Sequence, residues 1–374
     1  MAQKNRSFFW ALIPLWGVLV LWNLFTPAQE FSEAENRYLA AFPAYSHETL
    51  LDGRFMDKVN DYLNDQFVGR PYWVSAQSLL EYGMGKREIN GVYLGKNALF
   101  TRQVPPDGRF SGQNIAGVNA FARSSGIPAY VMLVPSAAVV EPDKLPDRAQ
   151  AWDEAAFIQE VYGQLDPGIT TIDAYGLLRA QEGGDPLYYR TDHHWTTYGA
   201  SLAAEALRVS MGVGPLDAAA LTRETVSQDF LGTLHSKTGF PLVAADSMER
   251  YQQGAATAYE IFDGKTTTRY DSIYFPEFLE KKDKYSYFLG QVQPAVTIFT
   301  EATDKGRLLV FKDSYAHSLA PMLLDSFSEI KLVDLRYFNA AGLQEQLGEE
   351  QYDQVLFLYS ADVFAHQLGT GKLA

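Results

Sequence analysis

A chain of 374 residues, 47% of them hydrophobic, can bury one large core or two smaller ones. Its 31 basic against 45 acidic residues, net −14, exclude a nucleic-acid partner, because neutralising phosphates needs a basic face. The lack of any cysteine excludes thiol catalysis, disulfides and thiolate metal sites together.

The chain opens with Lys4 and Arg6 ahead of an uncharged 18-residue run, Phe8 to Phe25. At about 1.5 Å rise per residue the run reaches roughly 27 Å, close to the roughly 30 Å of bilayer hydrocarbon. Basic residues before it, and Glu30, Glu33 and Glu35 after it, orient it N-in, C-out. A signal peptide cleaved near "TPA" (26–28) competes, but the run is longer than an ordinary signal core, so residues 1–28 read as an uncleaved anchor with the body outside the cytoplasm. Residues 29–90 read as a turn-rich stalk and a docking helix, with Phe55, Val59, Tyr62, Leu63 and Phe67 on one face. "GVYLGKNALF" (91–100) predicts a hairpin turning at Gly95.

From residue 91 to 374 a single domain is expected. "NIAGVNAFARSSG", "EAAFIQEVYGQL" and "TTYGASLAAEALRVSMG" are helical, while "AYVMLVPSA" and "TTIDAY" are strand-like. The alternation resumes with "RLLVFKDS", "HSLAPMLLD", "EIKLVDLRYF", "AAGLQEQLG" and "QVLFLYSA". Continuous apolar strands between helices predict an α/β fold with a doubly wound parallel sheet covered on both faces. Residues 213–306, rich in Tyr, Phe, Thr and Gly, break the pattern and predict a β-rich insertion, either shaping a cleft or inert.

Two stretches can carry chemistry. In "RLLVFKDSYAHSLAPMLL" (307–324) Ser314 sits where a buried strand turns into a helix, the position of an exposed nucleophile but also of an ordinary helix cap. In "TDHHWTTYGA" (191–200) Asp192 and His194 are two apart; in an extended segment they share a face, so Asp192 can orient His194 while His193 points away and Trp195 walls the site. A metal would need three convergent ligands, and diverging histidines argue against one. His317, three residues after Ser314, would contact the serine or line the cleft.

"TDHHWTTYGA", "FKDSYAHSLAPML" and "LVDLRYF" resemble the bacterial DHHW protein family, from "FSEAENRYLAAFP" to the C-terminus. That family is similar to the alginate O-acetylation proteins, whose SGNH-hydrolase-like (flavodoxin-like) domain runs in permuted order, with Asp-x-His-Trp ahead of the nucleophilic serine. The resemblance implies a Ser314–His194–Asp192 triad, a cell-surface glycan substrate, and a membrane-bound O-acyltransferase partner that passes acetyl groups outward. It implies no cofactor. His193, Trp195, Tyr315 and His317 are expected around the substrate. SGNH enzymes add Gly and Asn oxyanion donors, whereas this chain offers Ser360 where the Asn is sought, so Gly290, Asn339 and the Ser314 N–H are the other candidates. The motif also reads Lys-Asp-Ser, with Lys312 either charging the site or solvated at the strand end. The expected activity is O-acetyl transfer or deacetylation of a surface polysaccharide; the alternatives are a carbohydrate-binding scaffold with little catalysis and a metal-dependent hydrolase.

Overall fold

The computed structural model describes residues 14, 17–23, 25–150, 152–181, 183–348 and 351–374. Most of the Phe8–Phe25 run, and with it the expected anchor, lies outside the described residues, among which no helix is long and apolar enough to cross a membrane. The chain divides into two compact units, the first ending at Lys86 and including Ser236–Pro241, the second formed by Arg87–His235 and Leu242–Ala374.

The first unit pairs Phe31–Ser32 with Arg37–Tyr38 and carries two longer helices, α1 (Arg54–Asp65) and α2 (Arg70–Gly83). Arg37 clamps Asp65 with bonds of 2.6 and 2.8 Å, which holds that carboxyl down at about 2, and Arg70 reaches Glu35 at 2.6 Å. No residue of α1 is fully buried; Phe55 and Tyr62 of its apolar face meet Phe42 edge-on. The expected hairpin forms in the second unit from Val92–Leu94 and Leu99–Thr101, and Glu88–Ile89 adds a third strand.

The second unit is built on eight strands: β1 (Ala129–Val134), β2 (Ile169–Thr171), β3 (Ala256–Phe262), β4 (Thr267–Tyr270), β5 (Ala295–Thr300), β6 (Arg307–Lys312), β7 (Glu329–Val333) and β8 (Gln354–Ser360). They lie in the order β4-β3-β5-β7-β6-β8-β1-β2. Alternate residues serve two cores. Met132, Val134, Leu308, Val310, Leu356 and Leu358 face one, while Val131, Leu133, Leu309, Phe311, Val355 and Phe357 face the other. Burial on both faces makes these strands continuous apolar runs, because neither parity of the side-chain alternation meets water. Helices α3 (Arg109–Ser125) and α4 (Glu154–Gly163) cover the second face, and α5 (Thr197–Ser210) packs Ala200, Ala203, Ala204 and Leu207 on the first. The Thr196 hydroxyl caps α5 by accepting from the Gly199 N–H at 3.1 Å.

The sheet corrects the expectation of an all-parallel arrangement. β7, β6, β8, β1 and β2 are parallel, but β4, β3 and β5 run antiparallel and extend the same sheet. Much of the 213–306 insertion is therefore an edge of the central sheet; only Thr222–Phe230 and Asp246–Gln252 form a hairpin of their own. Chain length explains the difference. β3 and β4 are joined by a tight turn in which Asp263 accepts from the Lys265 and Thr266 N–H groups, both at 2.8 Å, and a turn that short permits only antiparallel pairing.

One buried acid makes this unit pH-sensitive. Glu154 is fully buried, accepts from the Ser136 N–H at 3.0 Å and pairs with its hydroxyl at 2.5 Å. Burial pushes its carboxyl up to about 7. A carboxyl raised in the fold binds its proton more tightly there than in the unfolded chain. Its contribution is thus complete below the ordinary carboxyl range and is lost as pH climbs through about 7. The loss is about 3 kcal/mol, so Glu154→Gln should melt above the parent at pH 8 and close to it at pH 5, as calorimetry across that range would show. Equal melting shifts at both pH values would contradict a buried, protonated Glu154.

Candidate active site

Ser314 stands at the carboxyl end of β6, where the strand turns into the short helix Ala316–Leu319. The turn is clamped by Asp313, whose carboxylate accepts from the Tyr315 N–H (3.0 Å), the Ser360 N–H (2.7 Å) and the Ser360 hydroxyl (2.8 Å). This ties β6 to the end of β8 and presents the serine hydroxyl outward. The Ser314 N–H has no acceptor among the described residues.

Thr191–His194 forms a bend between the Ile169–Thr171 strand and α5. His194 donates Nδ1–H to Asp192 Oδ1 at 2.6 Å, and its Nε2 lies 2.7 Å from Ser314 Oγ. The His194 N–H also reaches Asp192 Oδ1, at 3.0 Å, so one carboxylate oxygen fixes both the backbone and the ring. Asp192 and His194 are buried, whereas Ser314 is partly exposed and is the member a substrate can reach. Burial alone would raise the Asp192 carboxyl. The His193 and His194 imidazoles, with bonds from His194 and Thr233, outweigh that and hold it well below the usual carboxylate range.

Sequence reasoning passed over two groups that complete this geometry, both from the insertion. The Thr233 N–H and hydroxyl donate to the second Asp192 oxygen at 2.7 and 2.9 Å. Gly232 precedes it because a Cβ there would lie 2.4 Å from Asp192, a backbone approach that only glycine permits. Tyr285 stacks on the His194 ring, 3.9 Å away and 9° from parallel, and its hydroxyl donates to the Ser318 hydroxyl at 3.2 Å. This part of the insertion therefore packs directly on the Asp192–His194 pair. No motif marks either residue, since both contacts span long loops.

Other candidates fall elsewhere. The bend is not extended, so His193 does not point away: its Nδ1 lies 3.5 Å from Asp192 Oδ1 and 2.8 Å from the Thr233 hydroxyl, and its ring lies 3.9 Å from that of His194. The ligand atoms of Asp192, His193 and His194 all lie within 4.8 Å of one another, which removes divergence as an argument against a metal. Trp195 is wholly buried and donates Nε1–H to the Tyr315 carbonyl and the Ser318 hydroxyl, both at 3.1 Å; it braces the two motifs together and does not wall a cleft. Tyr315 is buried likewise, its hydroxyl donating to the His193 carbonyl.

His317 turns from the serine to Lys312, whose Nζ donates to its Nε2 at 2.9 Å. Burial pushes the lysine down to about 8 and the imidazole well below its usual range, so Lys312 is not solvated at the strand end. Ser360 is committed to Asp313 and to capping the helix Ala361–His366, and is no free oxyanion donor. Asn339 caps the helix Ala340–Leu347 through the Gly342 N–H at 2.8 Å and lines a groove of about 600 Å³ on the antiparallel part of the sheet. Gly290 adopts φ +80° and packs beside the Phe275 ring.

Residues 102–267 match the model of the SGNH hydrolase-like domain of the acetyltransferase AlgX. "Probable alginate O-acetylase AlgJ" of Pseudomonas fluorescens is 26% identical over 181 residues, 46% of either chain, and that of Azotobacter vinelandii is 23% identical over 185. The chain spans about half the length of the curated relatives it matches. Among solved structures, a DHHW family protein from Eubacterium siraeum superposes with a TM-score of 0.64 at 26% identity, over 76% of this chain and 95% of that one. PatB1 of Bacillus cereus gives 0.63 at 19%, over 76% and 99%. The molecule therefore has an SGNH-hydrolase-like α/β fold with a mixed central sheet and is similar to the DHHW and alginate O-acetylation proteins.

Proposed function

We infer that this chain is a serine O-acetyltransferase or acetylesterase acting on a cell-surface polysaccharide, with Ser314, His194 and Asp192 as its triad. The observation that carries the reading is one imidazole bonded at 2.6 Å to a buried carboxylate and at 2.7 Å to a reachable serine hydroxyl. Ser314 Oγ attacks the acetyl carbonyl as its proton passes to His194 Nε2. The tetrahedral oxyanion forms beside the Ser314 N–H. Collapse gives the acetyl-serine, and His194 returns the proton to the leaving group. His194 then deprotonates the acceptor, a sugar hydroxyl for transfer or water for hydrolysis, whose oxygen takes the acetyl while Ser314 recovers its proton. Asp192 stays ionised and stabilises the imidazolium. The similarity to AlgX and AlgJ supports acetyl as the group moved.

In this reading the acid and base precede the nucleophile as in a permuted SGNH domain, Phe8–Phe25 anchors the chain with its body outside the cytoplasm, and a membrane-bound O-acyltransferase supplies the acetyl groups. A fluorophosphonate tests the triad: the full chain should gain one adduct, mapped by mass spectrometry to Ser314, and His194→Ala should gain none. No adduct on folded protein overturns the reading in favour of a carbohydrate-binding scaffold. The grouping of Asp192 with both histidines favours a metal-dependent hydrolase as second reading; loss of acetyl-ester turnover on chelation would establish it.

A further inference from the structure

α2 is amphipathic, yet it turns the wrong side to the protein. Tyr72, Trp73, Ala76, Leu79, Leu80 and Met84 form one uncharged arc along it, and every one is exposed, Tyr72 to 82%, Leu80 to 69% and Met84 to 79%. The opposite side, bearing Ser75, Ser78 and Tyr82, is the one turned inward. Ser78 is buried with its hydroxyl donating to the Thr238 carbonyl, and Tyr82 packs on Phe240 at 5.1 Å. A helix that faces water places its polar side outward. Here the apolar arc is left uncovered, and a contiguous exposed apolar patch of this kind marks an interaction surface.

We propose that this arc lies in the interface of the lipid bilayer. The claim rests on the anchor reading above, and two features favour lipid over a protein partner. The uncharged run Phe8–Phe25 belongs to the same unit as this helix, so an anchored molecule carries the arc next to the membrane. The arc also sets Tyr72 and Trp73 at one end and Leu79, Leu80 and Met84 at the other, the mix of amphipathic rings and aliphatic chains that settles at the headgroup–acyl boundary. Two contacts with the bilayer, a span and a surface helix, would fix the orientation of the first unit where a span alone leaves it free to rotate.

The absence of cysteine allows single labels. Leu80→Cys, Met84→Cys and, as the aqueous reference, Val209→Cys carry an environment-sensitive fluorophore in the full chain, reconstituted in phosphatidylethanolamine–phosphatidylglycerol vesicles. Shallow nitroxide lipids should quench the labels at 80 and 84 about twofold or more beyond that at 209, with the reverse order for aqueous iodide. Iodide quenching equal at all three positions overturns the proposal, as does shielding from iodide without quenching by lipid, which means that protein covers the arc. Flotation separates this from the anchor. If Leu80→Glu with Met84→Glu is released while the parent floats, the arc holds the membrane and the anchor reading fails. If the variant floats, the anchor stands and quenching decides the arc. If the parent does not float, both fail.

Discussion

Replacing Ser314 with alanine should lower turnover of 4-nitrophenyl acetate by about ten thousand-fold or more, to the rate that binding and the backbone oxyanion donor sustain alone. His194→Ala should fall to the same level, and the double variant no further, because the two groups act in one proton transfer and their losses do not add. His193→Ala should retain activity within about tenfold, since the bonds from His194 to Asp192 and Ser314 do not run through its ring. Each protein is first shown to melt like the parent. Equal rates in the parent and all four variants would mean that the 2.7 Å contact between His194 and Ser314 is structural.

The second large effect concerns the acid. Asp192→Asn should lose about ten thousand-fold in turnover, because an amide holds His194 in the wrong tautomer and no longer balances the imidazolium. Thr233→Val removes one of the two donors on the outer Asp192 oxygen and leaves the N–H in place. A single bond to a charged acceptor is worth about 2 kcal/mol, so about thirtyfold is expected. Because Asp192 is held far below the ordinary carboxylate range, it stays ionised across the whole acid limb and cannot set that limb's midpoint. A pH–rate profile whose acid limb shifts in Thr233→Val by as much as the rate falls would place the threonine on the imidazole's proton affinity rather than on its orientation.

Comparison of particular residues shows why some of this was legible in the sequence. β1, β6 and β8 were readable because burial on both faces demands uninterrupted apolar runs, which "YVMLV", "LLVF" and "VLFLY" display. The direction of β3–β5 was not, since apolar content says nothing of strand sense; the short turn at Asp263 decides it for β3 and β4 alone. Asp192 and His194 were paired on a premise of extended backbone that does not hold. The contact survives because a bend also brings residues two apart together, here through the Asp192 carboxylate accepting from both the His194 ring and its N–H.

By themselves, the residues determined what depends on local pattern: the α/β alternation, the strand-to-helix turn at Ser314, the Asp-x-His spacing and the exclusion of thiol chemistry. The tertiary structure alone decided what depends on groups distant in the chain. It set His194 against Ser314 across 120 positions, drew Thr233 to Asp192 and laid Tyr285 on the imidazole. It also committed Ser360 to Asp313 and Lys312 to His317, so that neither faces the oxyanion or the solvent. The reason is physical. A buried polar group must find a partner wherever packing supplies one, and packing follows the closure of the whole sheet, which no short stretch of sequence contains.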